Sequence, residues 1–250
     1  MGHGSFGVVF RGKLDVAVKI FREAVEKKSI ETEITNLLRV QHENIIRLYG
    51  VSKETDAYYL VMECAQNGTL HDCLHTKKIP FSESDRQNLM LQCAKGMEYL
   101  HNLKPVILHR DLKPKNILLT NDYTMLKICD FGIAREKGTS MTVGIGTAKY
   151  CAPEVHQTSS YTEKSDVFGF GMVLWEVMSG RVPTGLMSKM PDLDKVIHCN
   201  SPDTMKILIQ QSCDEDPNMR PPMKTLALLL SFDHVSQAKL IKPNSMDFKK

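Results

Sequence analysis

Two kinds of hydrophobic spacing divide the chain. From Val8 to about Val61 the apolar residues come as β-branched runs, and Val16-Ala17-Val18-Lys19-Ile20 and Tyr58-Tyr59-Leu60-Val61-Met62 read as strands. Between them Ile30, Ile34, Leu37 and Leu38 recur at helical spacing, which predicts a helix over 29–40 with Glu31, Thr35 and Arg39 on its opposite face. Beyond Asn67-Gly68 the spacing becomes helical. Ser84 and Gln87 form a capping-box pair ahead of Leu89, Cys93, Met97 and Leu100, so a long helix is expected to start near Ser84. Ile117-Leu118-Leu119 and Met125-Leu126-Lys127-Ile128 flank Asn121-Asp122, which suits a tight hairpin. Val167 to Met178, which holds the only tryptophan, Trp175, is a further apolar helix. The pattern predicts an α+β chain: a small strand-rich lobe over 1–63, a larger, mainly helical lobe over 64–235 and a polar, flexible tail over 236–250.

Composition adds mainly exclusions. An apolar share of 42% over 250 residues is enough for a sizeable core. The net charge of +3, with its lysines dispersed, points to no nucleic-acid partner and no membrane surface. Seven cysteines are scattered through apolar stretches without metal-ligand or disulfide spacing, which suits a reducing compartment. No apolar run approaches the roughly 18 residues of a membrane span and no secretory leader pattern opens the chain, so a cytoplasmic location is expected.

The polar motifs carry chemistry. In Gly2-His3-Gly4-Ser5-Phe6-Gly7-Val8-Val9 the missing side chains of Gly2, Gly4 and Gly7 let backbone N–H groups approach phosphate oxygens. The same spacing occurs in dinucleotide folds, but there a helix follows the last glycine, whereas Val8, Val9 and Phe10 favour a strand; a plain glycine-rich hairpin is the bland alternative. Lys19 ends a strand, where an ammonium held by a carboxylate can reach the α- and β-phosphates, and Glu33 on the apolar face of the helix is that carboxylate. A solvated surface pair is the competing reading. In His109-Arg110-Asp111-Leu112-Lys113-Pro114-Lys115-Asn116, Asp111 can accept a hydroxyl proton, Lys113 can steady the γ-phosphate and Asn116 can offer an oxygen to Mg2+. Asp130, in Asp130-Phe131-Gly132, can bind the Mg2+ that bridges the phosphates. Glu154 of Ala152-Pro153-Glu154 needs a cation if buried, and Arg220 is the natural partner.

With these five motifs in this order, the chain resembles the eukaryotic protein kinase family over nearly its whole length. The resemblance implies a two-lobed fold with a small antiparallel-sheet N-lobe carrying one helix and a larger helical C-lobe, and it implies ATP and Mg2+ as cofactors. It further implies that Val9, Ala17 and Leu118 enclose adenine beside the hinge residues Met62, Glu63 and Ala65, that Asp166 anchors the catalytic loop, and that Leu37, Leu48, His109 and Phe131 stack in the active state. Lys113 after Asp111, with Gly146-Thr147 ahead of Ala152, resembles the serine/threonine form. Leu60-Val61-Met62-Glu63 and Lys127-Ile128-Cys129-Asp130-Phe131-Gly132, with the spacing of Thr139, Met141 and Thr142, are similar to the transforming-growth-factor-β-activated branch of the mitogen-activated protein kinase kinase kinases. That branch implies signalling downstream of the cell surface, protein substrates that are themselves kinases, and activator subunits that dock on the C-lobe.

Some features stand apart from that resemblance. A phosphate on Thr139, Ser140 or Thr142 can pair with Arg110 and order the 133–150 loop. His71 and His75, one helical turn apart around Asp72, mimic a zinc-peptidase helix, against the plainer reading of a short surface helix. Cys129 is expected to border the nucleotide pocket as an apolar filler. The chain carries little strand ahead of Gly2, is shortened around Gly185 to Ser201, and has Cys213-Asp214 where a Cys-Trp pair is usual. The shortening argues against activator docking. The competing reading is a pseudokinase scaffold that binds partners without transferring phosphate.

Overall fold

The computed structural model describes residues 2–4, 7–9, 13–22, 27–54, 57–130, 135–136, 148–158, 161–183 and 203–232. The glycine-rich motif forms strands β1 (Gly2–Gly4) and β2 (Gly7–Val9), paired antiparallel with Gly2 opposite Val9. Strand β3 (Val16–Arg22) leads to helix α1 (Lys27–Arg39), followed by β4 (Leu48–Glu54) and β5 (Ala57–Glu63). These strands make an antiparallel sheet in the order β3-β5-β4, with Lys19 opposite Leu60. The β-branched runs thus pair in one sheet, and in β3 Val16, Val18 and Ile20 lie on the exposed face while Ala17, Lys19 and Phe21 turn inward.

Beyond β6 (Gly68–Thr69) and a wide helical turn at Asp72–Thr76, helix α2 (Glu83–Asn102) opens the helical lobe. It starts one residue before the expected Ser84. Ser82 is the cap: its hydroxyl accepts from Asp85 N at 3.1 Å while Asp85 accepts from Ser82 N at 2.9 Å. Capping there frees Gln87, the partner expected for Ser84, to turn inward and donate to Leu230 O and Phe232 O, pinning the end of the last helix.

Strand β7 (Ile107–Leu108) precedes the hairpin of β8 (Ile117–Thr120) and β9 (Met125–Ile128), and a short β10 (Arg135–Glu136) pairs with β7. The β8–β9 turn is wider than the two-residue Asn121-Asp122 expected, because Thr120 pairs with Met125 and four residues span the gap. Asn121, Asp122 and Tyr123 all have positive φ (50°, 50° and 69°). Tyr123 tolerates it because its N–H donates to Asn67 Oδ1 and its ring packs edge-on against Phe81. Helices α3 (Pro153–Thr158), α4 (Glu163–Ser179), α5 (Asp203–Ser212) and α6 (Met223–Ser231) complete the lobe.

Helix α4 is buried from Ser165 to Ser179, so its uniform hydrophobicity marks a central helix with no solvent face. Two glycines admit close approach. A Cβ at Gly96 of α2 would lie 2.8 Å from Ile128 Cδ1, and one at Gly171 of α4 would lie 2.6 Å from Cys213 Sγ. In the described part of α1 the buried positions are Ile30, Glu33, Asn36 and Leu37, at helical spacing. Leu38, expected on that face, is 69% exposed, since it stands about 100° round the helix from Leu37. Among the described residues no helix is long and apolar enough to cross a membrane.

Candidate active site

The sheet and α1 deliver the first cluster. Lys19 Nζ lies 2.7 Å from Glu33 Oε1 and 3.2 Å from Asp130 Oδ1, joining three elements far apart in sequence. Burial works against the Lys19 charge, but the carboxylates of Asp130 and Glu33 outweigh it and hold the ammonium above its ordinary range. Two carboxylates share one ammonium here. Asp130, with 46% of its side chain exposed and a left-handed backbone (φ 66°), stands at the open side of this group. A divalent cation suits hard oxygen donors of this kind.

The catalytic-loop motif forms the second cluster. Asp111 is buried, and its Oδ2 accepts from Lys113 Nζ at 2.6 Å and Asn116 Nδ2 at 2.8 Å. Its Oδ1 is buried with no hydrogen-bond partner among the described residues. A lone acceptor in that condition is costly unless a donor arrives from a ligand. Asn116 spends its amide nitrogen on Asp111, so the end left to meet a cation is its oxygen.

The loop is held from behind by Asp166 of α4, which is fully buried. Its carboxylate accepts from His109 N and Arg110 N at 2.9 Å each, from Tyr161 OH at 3.0 Å, and bonds His101 Nε2 at 2.9 Å. Burial alone would push this carboxyl up, but the His101 hydrogen bond and charge, with the His109 charge and the backbone N–H groups, reverse that and hold it below its ordinary value. Arg110, tied there by its backbone, takes a left-handed φ of 68°. His101 and Tyr161 were not singled out by the sequence pattern. Their signal was a polar residue near the end of an apolar helix and an aromatic just ahead of another.

His109 bonds Cys129 O through Nε2 at 3.1 Å, linking the loop to the strand that leads to Asp130. Leu37 and His109 are buried and Leu48 partly so, while Phe131 lies outside the described residues. Burial, with Asp130 adding to it, pushes the Cys129 thiol up to about 12, so it is an inert filler beside the site, as expected. Glu154 and Arg220 form the anticipated pair, bidentate at 2.7 and 2.9 Å, with Arg220 buried against the Phe168 ring.

Ala17 pairs with Met62 across the β3–β5 ladder and Leu118 with Lys127 across β8–β9, while Glu63 ends β5 two residues before Ala65. Gly2, Gly4, Gly7 and Val9 are placed by backbone only, and Gly7 opens a strand where a dinucleotide fold requires a helix, which removes that reading. Thr139, Ser140 and Thr142 lie outside the described residues. His71 and His75 rings are 5.0 Å apart, and with 49% of the Asp72 side chain exposed this turn lies at the surface, anchored inward where His75 Nε2 is committed to buried Glu176 at 2.7 Å. Tyr150 OH donates to the other Glu176 oxygen at 2.6 Å. No set of three metal-binding side chains occurs among the described residues.

A family model described as Protein kinase domain matches residues 1–234. The chain belongs to the protein kinase family. Within it, the kinase is 49% identical over 189 residues to mitogen-activated protein kinase kinase kinase 7 of Drosophila melanogaster, covering 73% of this chain and 28% of that protein. It is 37% identical over 250 residues to the Homo sapiens protein of the same name, covering 92% of this chain and 40% of that one. A mitogen-activated protein kinase kinase kinase 7-like protein of Drosophila melanogaster is 35% identical over 269 residues, covering 99% and 68%. The kinase thus spans less than half the length of the first two of these relatives.

Proposed function

We propose that this chain is an ATP- and Mg2+-dependent kinase that phosphorylates serine or threonine of protein substrates, themselves kinases of a mitogen-activated cascade. The observation that carries the reading is the unpartnered, buried Oδ1 of Asp111, set beside Lys113 and Asn116. In this reading Asp111 Oδ1 accepts the proton of the substrate hydroxyl, and Lys113 balances charge at the γ-phosphate. Lys19, kept charged by Glu33 and Asp130, grips the α- and β-phosphates. Asn116 and Asp130 would hold Mg2+, which when bound neutralises the charge of the triphosphate.

Residues 1–63 then form the N-lobe and 64–235 the C-lobe, with adenine against Val9, Ala17, Met62, Glu63, Ala65 and Leu118 and the phosphates under Gly2, Gly4 and Gly7. Thr139, Ser140 and Thr142 are the proposed regulatory phosphorylation sites, with Arg110 as their partner. The homology to mitogen-activated protein kinase kinase kinase 7 supports the cascade.

The test is incorporation of label from γ-labelled ATP into a generic basic protein, with Mg2+, by the parent and by Asp130→Asn. Transfer by the parent alone supports the reading. Absence of transfer in both, with a thermal shift by Mg-ATP, would instead identify a nucleotide-binding scaffold.

A further inference from the structure

The carboxylate of Glu63 joins three segments that the catalytic motifs do not account for. Its Oε1 lies 2.6 Å from Lys127 Nζ, and its Oε2 accepts from Arg47 N at 3.3 Å. Its own N–H donates to Arg47 O at 2.8 Å. Glu63 ends β5, and Lys127 lies on β9 opposite Leu118, three residues before Asp130. The segment ahead of Arg47 is fixed to β9 independently: Ile46 N donates to Ile128 O at 2.9 Å and Ile128 N to Asn44 O at 2.8 Å.

Two open cavities of about 370 and 330 Å³ are each lined by Tyr49, Glu63 and Lys127, so the ion pair borders both. Both partners are mostly shielded, with 22% and 12% of their side chains exposed, which sets the pair apart from a solvated surface contact. Breaking it leaves the Ile128 bonds, and with them the approach to Asp130, in place. The backbone bond from Glu63 N–H to Arg47 O and the pairing of Glu63 with Val16 also remain; what is lost is the side-chain tie from the end of β5, against which adenine is proposed to lie, to β9.

We infer that Glu63 and Lys127 are a positioning pair that fixes the end of β5 against β9 and thereby sets affinity for Mg-ATP, with little effect on the rate of transfer. This rests on the kinase reading for its nucleotide, but not on which protein is phosphorylated. The pair touches neither Asp111 nor Lys113, so its loss acts through the geometry of the adenine side alone.

The experiment measures KM and kcat for Mg-ATP in the parent, Lys127→Met and Lys127→Arg. Binding of Mg-ATP by calorimetry is followed in parallel. Lys127→Met is expected to raise KM and Kd about five-fold with kcat within about two-fold, at the lower end of coupling between touching charged groups. Lys127→Arg is expected to stay within about two-fold of the parent. An active parent whose Lys127→Met variant folds and keeps its KM and Kd overturns the inference, as does a fall confined to kcat. A parent that binds Mg-ATP but transfers no phosphate contradicts the proposed function instead, and the calorimetric Kd still decides the role of the pair.

Discussion

Two charged clusters on the same fold are built to opposite specifications. Around Asp166, and between Glu154 and Arg220, the charged groups are met in full: buried Asp166 takes two backbone amides, a phenol and an imidazole, and partly buried Glu154 takes both arms of the buried Arg220 guanidinium. In the cleft the bonding stays incomplete. Asp111 keeps an orphaned oxygen, and Lys19 is shared by two carboxylates, one of them 46% exposed. An unpartnered buried oxygen alone does not mark a site, since Asn44 Oδ1 and Ser212 Oγ lack partners among the described residues too; Asp111 is set apart by carrying its free oxygen beside Lys113 and Asn116, where a ligand can complete the set. Both clusters are attached to one loop, since Asp166 grips the backbone of His109 and Arg110 immediately before Asp111.

Variants in the open cluster are expected to lose function and keep the fold, and those in the closed cluster the reverse. The largest effect falls on Asp111→Asn, for which transfer is expected to drop about a thousand-fold with the melting temperature unchanged or higher. Steady-state rates alongside thermal melts check this. A melting temperature that collapses with activity would erase the distinction between the clusters. Arg220→Met comes next. Removing one partner of a buried bidentate pair is expected to cost about 3 kcal/mol, seen as a fall in denaturation midpoint by urea titration.

Acid separates the clusters more gently. Because Asp166 is held below its ordinary value in the fold, the stability it contributes is complete above the ordinary carboxylate range and is lost as pH falls through its folded value. Lys19 has the opposite sign: its folded value is raised, so its contribution is present below 10.5 and is lost as pH climbs through the raised value. Asp166→Asn is therefore expected to flatten the acid limb of a stability–pH curve and leave the alkaline limb alone. The smallest effect is a control on the frame. Ser82→Ala is expected to cost about 1 kcal/mol by uncapping α2, and Ser84→Ala less, both with transfer intact in the folded fraction.

The strands, the central helix and the ordered polar motifs were legible because each rests on local pattern: runs of β-branched and aromatic residues in β3 and β5, all-round hydrophobicity in α4, and fixed offsets in the loop from His109 to Asn116. Where two local solutions competed, tertiary contacts decided. Ser82 and Ser84 both offered a cap, and Gln87 was drawn inward by the carbonyls at the end of α6. Leu38 carried the right residue type at the wrong angle. His101, Tyr161 and the Glu63–Lys127 pair were hidden for a different reason: each works through a partner distant in sequence, and no periodicity records that. Asp111 was nameable from its motif, but its unpartnered oxygen is visible only once Lys113 and Asn116 have taken the other.

The most direct test of the account is phosphoamino-acid analysis of a protein substrate labelled from γ-labelled ATP by the parent and by Asp111→Asn, at matched folded concentration. The account predicts phosphoserine or phosphothreonine from the parent and near-background label from the variant. Equal labelling by the two would contradict it, because the proton of the attacking hydroxyl would then need no help from Asp111.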